Sequence, residues 1–140
     1  TLSSSSAASD VYKRQEVTMT PLQKFLIPLF GGAGALHFLK PEPFDSIVPP
    51  QLPGQARTYT EVSGAAELAA AALIAVPKTR KLGGLFSAAL LLGVWPANFF
   101  MAWQWRDKSW PLRLGAIARL PLQVPLIKAA LGLRKASARA

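Results

Sequence analysis

Four long apolar stretches, over residues 22–39, 58–76, 82–105 and 112–133, take up most of this 140-residue chain. Each approaches the ~20 residues that an α-helix needs to cross a hydrocarbon layer. Helices of a water-soluble bundle carry polar positions every three or four residues, yet residues 68–76 and 88–96 contain none. The chain is 51% hydrophobic and only 16% charged, whereas soluble domains average about 25% charge. One domain is the natural size for this length. The spacing predicts an all-α protein, an integral membrane four-helix bundle.

Residues 1–18 are different in kind. Ser3, Ser4, Ser5, Ser6 and Ser9 are followed by Asp10, Lys13, Arg14 and Glu16, with no apolar periodicity. A disordered leader foreign to the fold is expected there, with Met19 as a natural start and the membrane domain over residues 19–140.

The formal net charge of +9 raises nucleic acid as a partner, but the charges are short groups at the ends of apolar runs, with no aromatic platform for stacked bases. Nucleic-acid binding is therefore not expected. Short cytoplasmic loops collect Lys and Arg. Lys78, Arg80 and Lys81 crowd the second connection, and Lys128, Arg134, Lys135 and Arg139 crowd the C-terminal end. In the first connection, Lys40 and Arg57 are balanced by Glu42 and Asp45. Both termini are thus expected in the cytoplasm, although Arg106, Lys108 and Arg113 beside Asp107 pull the other way. Trp103, Trp105 and Trp110 fall at the outer end of the third stretch, where an aromatic belt would lie.

Catalytic chemistry is thinly represented. With no cysteine there is no disulfide, thiolate zinc site or iron–sulfur ligation. A single histidine, His37, rules out bis-His haem or a three-His metal centre built from this chain alone. No phosphate-binding loop, nucleophile elbow or calcium loop occurs. Ser63 precedes Gly64 but lacks a base and an orienting group, so neither hydrolysis nor any independent enzymatic activity is expected.

The informative residues are polar groups inside the apolar stretches, costly unless paired or facing a cavity. Glu67 lies about 14 Å below Thr58 at ~1.5 Å per residue, and Asn98 and Arg119 each lie about 10 Å in from the same side. His37 and Glu61 form a shallower layer. The simplest arrangement pairs Arg119 with Glu67 and leaves guanidinium donors for Asn98. Gln123, between Pro121 and Pro125, adds to this region, where prolines free backbone carbonyls and kinks or local unwinding are expected. The cluster reads either as a structural clasp or as a binding pocket of Glu67, Arg119, Asn98, His37, Glu61 and Gln123. Pro41, Pro43, Pro49, Pro50 and Pro53 forbid a continuous helix in the first connection. With Phe44, Ile47, Val48 and Leu52 that connection is either a rigid loop or a lid over the mouth. Gly31, Gly32, Gly34, Gly64, Gly83, Gly84 and Ser87, with nearby alanines, let helices approach closely.

An ordered set of these residues, His37-Phe38, Pro41, Pro43, Phe44, Val48-Pro49, Ser63-Gly64 with Glu67, Pro96 with Asn98, and Arg119-Leu120-Pro121-Leu122-Gln123, resembles the DoxX-like family. The resemblance implies a four-helix bundle in the bacterial inner membrane, with Glu67, Asn98 and Arg119 as polar core and His37 at the mouth. It also implies an accessory or anchoring subunit of a quinone-linked redox assembly, because the family name derives from a subunit of a membrane thiosulfate:quinone oxidoreductase. The partners would be the lipid bilayer, an oxidoreductase subunit or a second copy of the chain, and the cavity would accept a quinone headgroup. A small proton-coupled transporter using Glu67 and Glu61, or a structural protein without ligand, are the alternatives.

Overall fold

The computed structural model describes residues 19–138, with side chains as far as Arg134. The expected leader and Arg139 lie outside the described residues. Among those residues the secondary structure is entirely helical.

Helix α1 (Pro21–Leu39) starts with a capping box: the Thr20 hydroxyl accepts from the Gln23 amide at 3.1 Å, and the Gln23 side chain accepts from the Thr20 amide at 2.9 Å. Two otherwise orphaned N–H groups are satisfied in this way. It ends just before Pro41, which disfavours helical backbone at the residue preceding it. The connection holds a single turn, α2 (Glu42–Asp45), with prolines where no amide hydrogen is required. Helix α3 (Ala56–Ala75) ends in a 3-10 turn, Pro77–Thr79. Its last carbonyls are capped from beyond the helix: Thr79 Oγ1 donates to Leu73 O at 2.8 Å, and Arg80 Nε and Nη2 donate to Ile74 O and Ala75 O at 2.8 and 3.2 Å. Helix α4 (Arg80–Gln104) leads through the 3-10 turn Trp105–Asp107 into α5 (Trp110–Ala138).

The bounds of the four long helices fall close to the four apolar stretches. Of the kinks or local unwinding expected at proline, the unwinding does not occur, since α1 runs through Pro28, α4 through Pro96, and α5 through Pro121 and Pro125 without a break. Side chains of the proline-containing segments instead bond across to the neighbouring helix backbone. Trp95 Nε1 donates to Leu120 O at 3.1 Å, and Gln123 Nε2 donates to Leu91 O at 3.0 Å. These two bonds run in opposite directions between α4 and α5 and lock their register.

Helix α4 packs chiefly along α5, and α1 along α3, while α3 touches α4 and α1 touches α5. The helices approach most closely through glycine. A Cβ on Gly34 would stand 2.9 Å from Gly64 O, one on Gly64 2.7 Å from His37 Cβ, and one on Gly83 2.8 Å from the Ile74 backbone nitrogen. Gly32 meets nothing within 4 Å, so only part of the small-residue pattern serves packing. Leu26, Phe30, Ile74, Leu91, Ala130 and Leu133 form a closed core at the end holding the start of α1 and the later turns of α5. Large apolar side chains such as Phe25, Leu92, Phe99, Leu114 and Leu122 point outward instead, the arrangement suited to a lipid surround.

Three segments are long and apolar enough to cross a membrane: Pro21–Leu39, Pro77–Asp107 and Trp110–Arg134. The helix over the second stretch, α3, falls short by this measure because Arg57, Glu61 and Glu67 interrupt it. By length and apolarity this is a candidate multi-pass membrane protein.

Candidate functional site

At the end opposite the closed core the helices diverge around a cavity of about 240 Å³. All five elements from α1 to α5, together with the proline-rich connection, contribute to its wall. His37 comes from the last turn of α1. Thr60, Ser63 and Glu67 come from one face of α3, because positions i, i+3 and i+7 lie on one side of a helix. Asn98 comes from α4 and Arg119 from α5. Phe44, Ile47, Val48, Pro49 and Leu52 close the top, so the first connection has the geometry of a lid.

His37 is the pivot of this site. Its ring stacks on Phe44 with centroids 3.7 Å apart and 20° between the planes. Nδ1 lies 2.6 Å from Ala33 O and 3.1 Å from Glu67 Oε2. One nitrogen carries one hydrogen, and the shorter contact to the carbonyl, four residues back on the same helix, takes it. Glu67 Oε2 is therefore buried beside the imidazole with no hydrogen-bond partner among the described residues. Buried polar atoms of this kind are uncommon and mark places where something else completes the set.

The lid is latched at two points. Asp45 Oδ1 accepts from Thr60 Oγ1 at 2.5 Å, and Oδ2 accepts from Arg57 Nε at 2.9 Å. The Tyr59 hydroxyl donates to Pro53 O at 2.5 Å. The Thr60 hydrogen bond, aided by the Arg57 cation and opposed by partial burial, holds the Asp45 carboxyl below the usual carboxylate range. A carboxyl depressed on folding contributes ordering that is fully present above its unfolded value, near 3.8, and is lost as pH falls through its lower folded value. Lid protection in hydrogen exchange is thus expected to stay level from pH 8 to 5 and to fall only below about 4. Asp45→Asn is expected to release the loop at all pH values, seen as faster exchange or proteolysis over residues 42–54. An unchanged loop would show that the apolar contacts alone hold it.

Four of the expected site residues, His37, Glu67, Asn98 and Arg119, are brought together around the cavity. The expected pairing of Glu67 with Arg119 is not made: among the described residues no carboxylate lies within ion-pair distance of Arg119. Its one side-chain hydrogen bond among the described residues is from Nη1 to Met101 Sδ at 3.8 Å, a weak acceptor. The reason is the neighbour order, since α3 packs against α1 and α5 against α4, which leaves the two residues on different sides of the cavity. Glu61 does not line the cavity; it lies about 120° around α3 from Glu67 and is exposed. Gln123 is buried, but its amide is spent on Leu91 O, so it serves as an interhelix clamp. Thr60, Ser63, Tyr59 and the latch role of Asp45 were not foreseen. The signal for Thr60 and Ser63 lay in their helical register with Glu67.

A family described as a domain of unknown function, DUF8561, matches residues 26–134. The chain belongs to the DUF8561 family. The match spans most of α1, the whole lid, α3 and α4, and most of α5. It corrects the DoxX-like resemblance, because no DoxX family matches. The quoted residues are those a small lidded helical bundle needs in any case: glycine at crossings, proline in the connection and polar groups around a cavity. Their order is not diagnostic of one family. No curated protein and no solved structure matches this DUF8561 chain.

Proposed function

We propose that this DUF8561 protein is a four-span membrane bundle with both termini in the cytoplasm, and that its lidded cavity on the outer side holds a small amphipathic molecule. The observation that carries the binding role is Glu67 Oε2, buried without a hydrogen-bond partner in a cavity otherwise walled by Phe44, Val48, Leu52, Val94 and Pro96. Convergent polar groups in an apolar concavity are the usual make-up of a ligand site. Counting α3 as the fourth span is supported by what its charges face. Glu67 turns to the cavity and Arg57 to the lid latch, and exposed Glu61 lies in the second turn of α3, near the lid end.

Charge supports the orientation. Lys24, Lys78, Arg80, Lys81, Lys128 and Arg134 lie toward the closed end without acidic residues beside them, whereas Lys40, Arg57, Arg106, Lys108 and Arg113 at the other end stand with Glu42, Asp45, Glu61 and Asp107. The chain has no cysteine, so single cysteines report cleanly. Gln51→Cys is expected to react with an impermeant maleimide on intact cells, and Lys78→Cys only after lysis. The reverse pattern would invert the topology.

The quinone-linked redox role came with the DoxX-like resemblance and has no family to rest on. What remains is binding, tested by mass spectrometry of molecules released from protein purified in mild detergent. Gly93 lines the cavity and faces open space, with nothing within 4 Å of an added Cβ. Gly93→Leu therefore adds bulk at the cavity wall without a backbone clash. One released amphipathic molecule near stoichiometry from the wild type, and none from Gly93→Leu, is the expected result. Bulk lipid alone from both would overturn the binding role.

A further inference from the structure

Resting on that reading, we infer that the occupant is a small zwitterion with an apolar body, of the class of the apolar amino acids, its ammonium held by Glu67 and its carboxylate by Arg119. Several polar groups that line the cavity are already used within the protein. The Thr60 hydroxyl is committed to Asp45, the Tyr59 hydroxyl to Pro53 O, and His37 Nδ1 to Ala33 O. Two charged groups on the cavity wall remain unmatched. Among the described residues Glu67 Oε2 has no hydrogen-bond partner, and Arg119, on the exposed rim of the cavity, has as its side-chain acceptor the thioether of Met101.

These two groups carry opposite charge and do not meet each other. A guanidinium presents several donors in a fixed fork that suits a carboxylate. An unpartnered carboxylate oxygen suits an ammonium, which offers three donors. A ligand with only an anionic head would satisfy Arg119 but set a like charge in the same cavity as Glu67. One with only a cationic head would do the same to Arg119. A zwitterion answers both and enters with no net charge, which suits a site inside an apolar bundle. Asn98, 4% exposed and on the same wall, offers both a donor and an acceptor to either head. Phe44, Val48, Leu52 and Val94 offer an apolar surface to the body. Size agrees: about 240 Å³ corresponds to roughly eight water volumes at ~30 Å³ each, the scale of a branched or short aromatic side chain with its amino-acid backbone.

The test is calorimetric titration of the detergent-purified protein with L-leucine, with 4-methylpentanoate, which lacks the ammonium, and with 3-methylbutylamine, which lacks the carboxylate. L-leucine is expected to bind, and each one-charge analogue to bind at least tenfold more weakly. Glu67→Gln is expected to weaken leucine while narrowing the gap to 4-methylpentanoate. Arg119→Gln is expected to narrow the gap to 3-methylbutylamine instead, a swap of preference that general unfolding would not produce. Equal binding of leucine and either analogue overturns the zwitterion. So does a released occupant of another class, such as a quinone, which leaves the cavity's binding role standing. Absence of any titration together with absence of any released occupant overturns both.

Discussion

Gly84→Ala is expected to destabilise the protein by about 3 kcal/mol, the upper end of what overpacking costs, and Gly84→Leu to prevent accumulation of folded protein. A Cβ at this position would collide with the Ala130 carbonyl oxygen and stand 2.9 Å from Leu133 Cβ. The first obstacle is backbone, which cannot rotate away as a side chain would. Helices α4 and α5 would have to separate at the point where Ala130 and Leu133 are fully buried. Interiors packed at crystal-like density transmit such a shift to every neighbour. Gly93→Ala on the same helix is the control, because an added Cβ there meets nothing within 4 Å. Thermal unfolding of the two variants in one detergent gives the comparison. A Gly84→Ala protein within about 0.5 kcal/mol of wild type, the range of an unremarkable surface change, would mean that α4 and α5 are not in contact there.

Glu67→Leu is expected to do the opposite, raising the stability of the empty protein by about 1–3 kcal/mol, the usual cost of a buried polar atom without a partner. His37 loses little, because its Nδ1 remains bonded to Ala33 O and its ring remains stacked on Phe44. The substitution also removes one of the three charges that interrupt the apolar run of α3. The same variant is expected to lose the cavity's occupant, so stability and binding move in opposite directions. A structural clasp between Glu67 and Arg119 requires the reverse, since removing one partner of a buried ion pair costs about 3–5 kcal/mol. Unfolding measured with and without added ligand separates the two. A large loss of stability in Glu67→Leu would show that the carboxylate holds the fold together.

Much of the fold was legible because it is local. Thr20 and Gln23 cap α1, Pro41 stops it, and Pro77 follows the end of α3, each acting within a few residues. Of the kinks or local unwinding expected at the prolines inside α4 and α5, the unwinding is absent, and the contacts that join the two helices there, from Trp95 and Gln123, come from 25 and 32 residues away. Family membership was misjudged, as the chosen motif reports the needs of a cavity and a close crossing.

The sequence by itself indicated four long helices close to their observed bounds, because hydropathy and proline act along the chain; of the four spans it counted, three are long and apolar enough to cross a bilayer. It also marked His37, Glu67, Asn98 and Arg119 as residues in need of company. Only the tertiary structure decided what company each keeps. Packing α1 on α3 and α5 on α4 gives Glu67 the imidazole of His37 as neighbour and leaves Arg119 beside Met101. Folding the connection back gives Asp45 to Thr60 and Arg57. Residue type states what a buried group requires, and the order of neighbouring helices states which groups are near enough to meet the requirement.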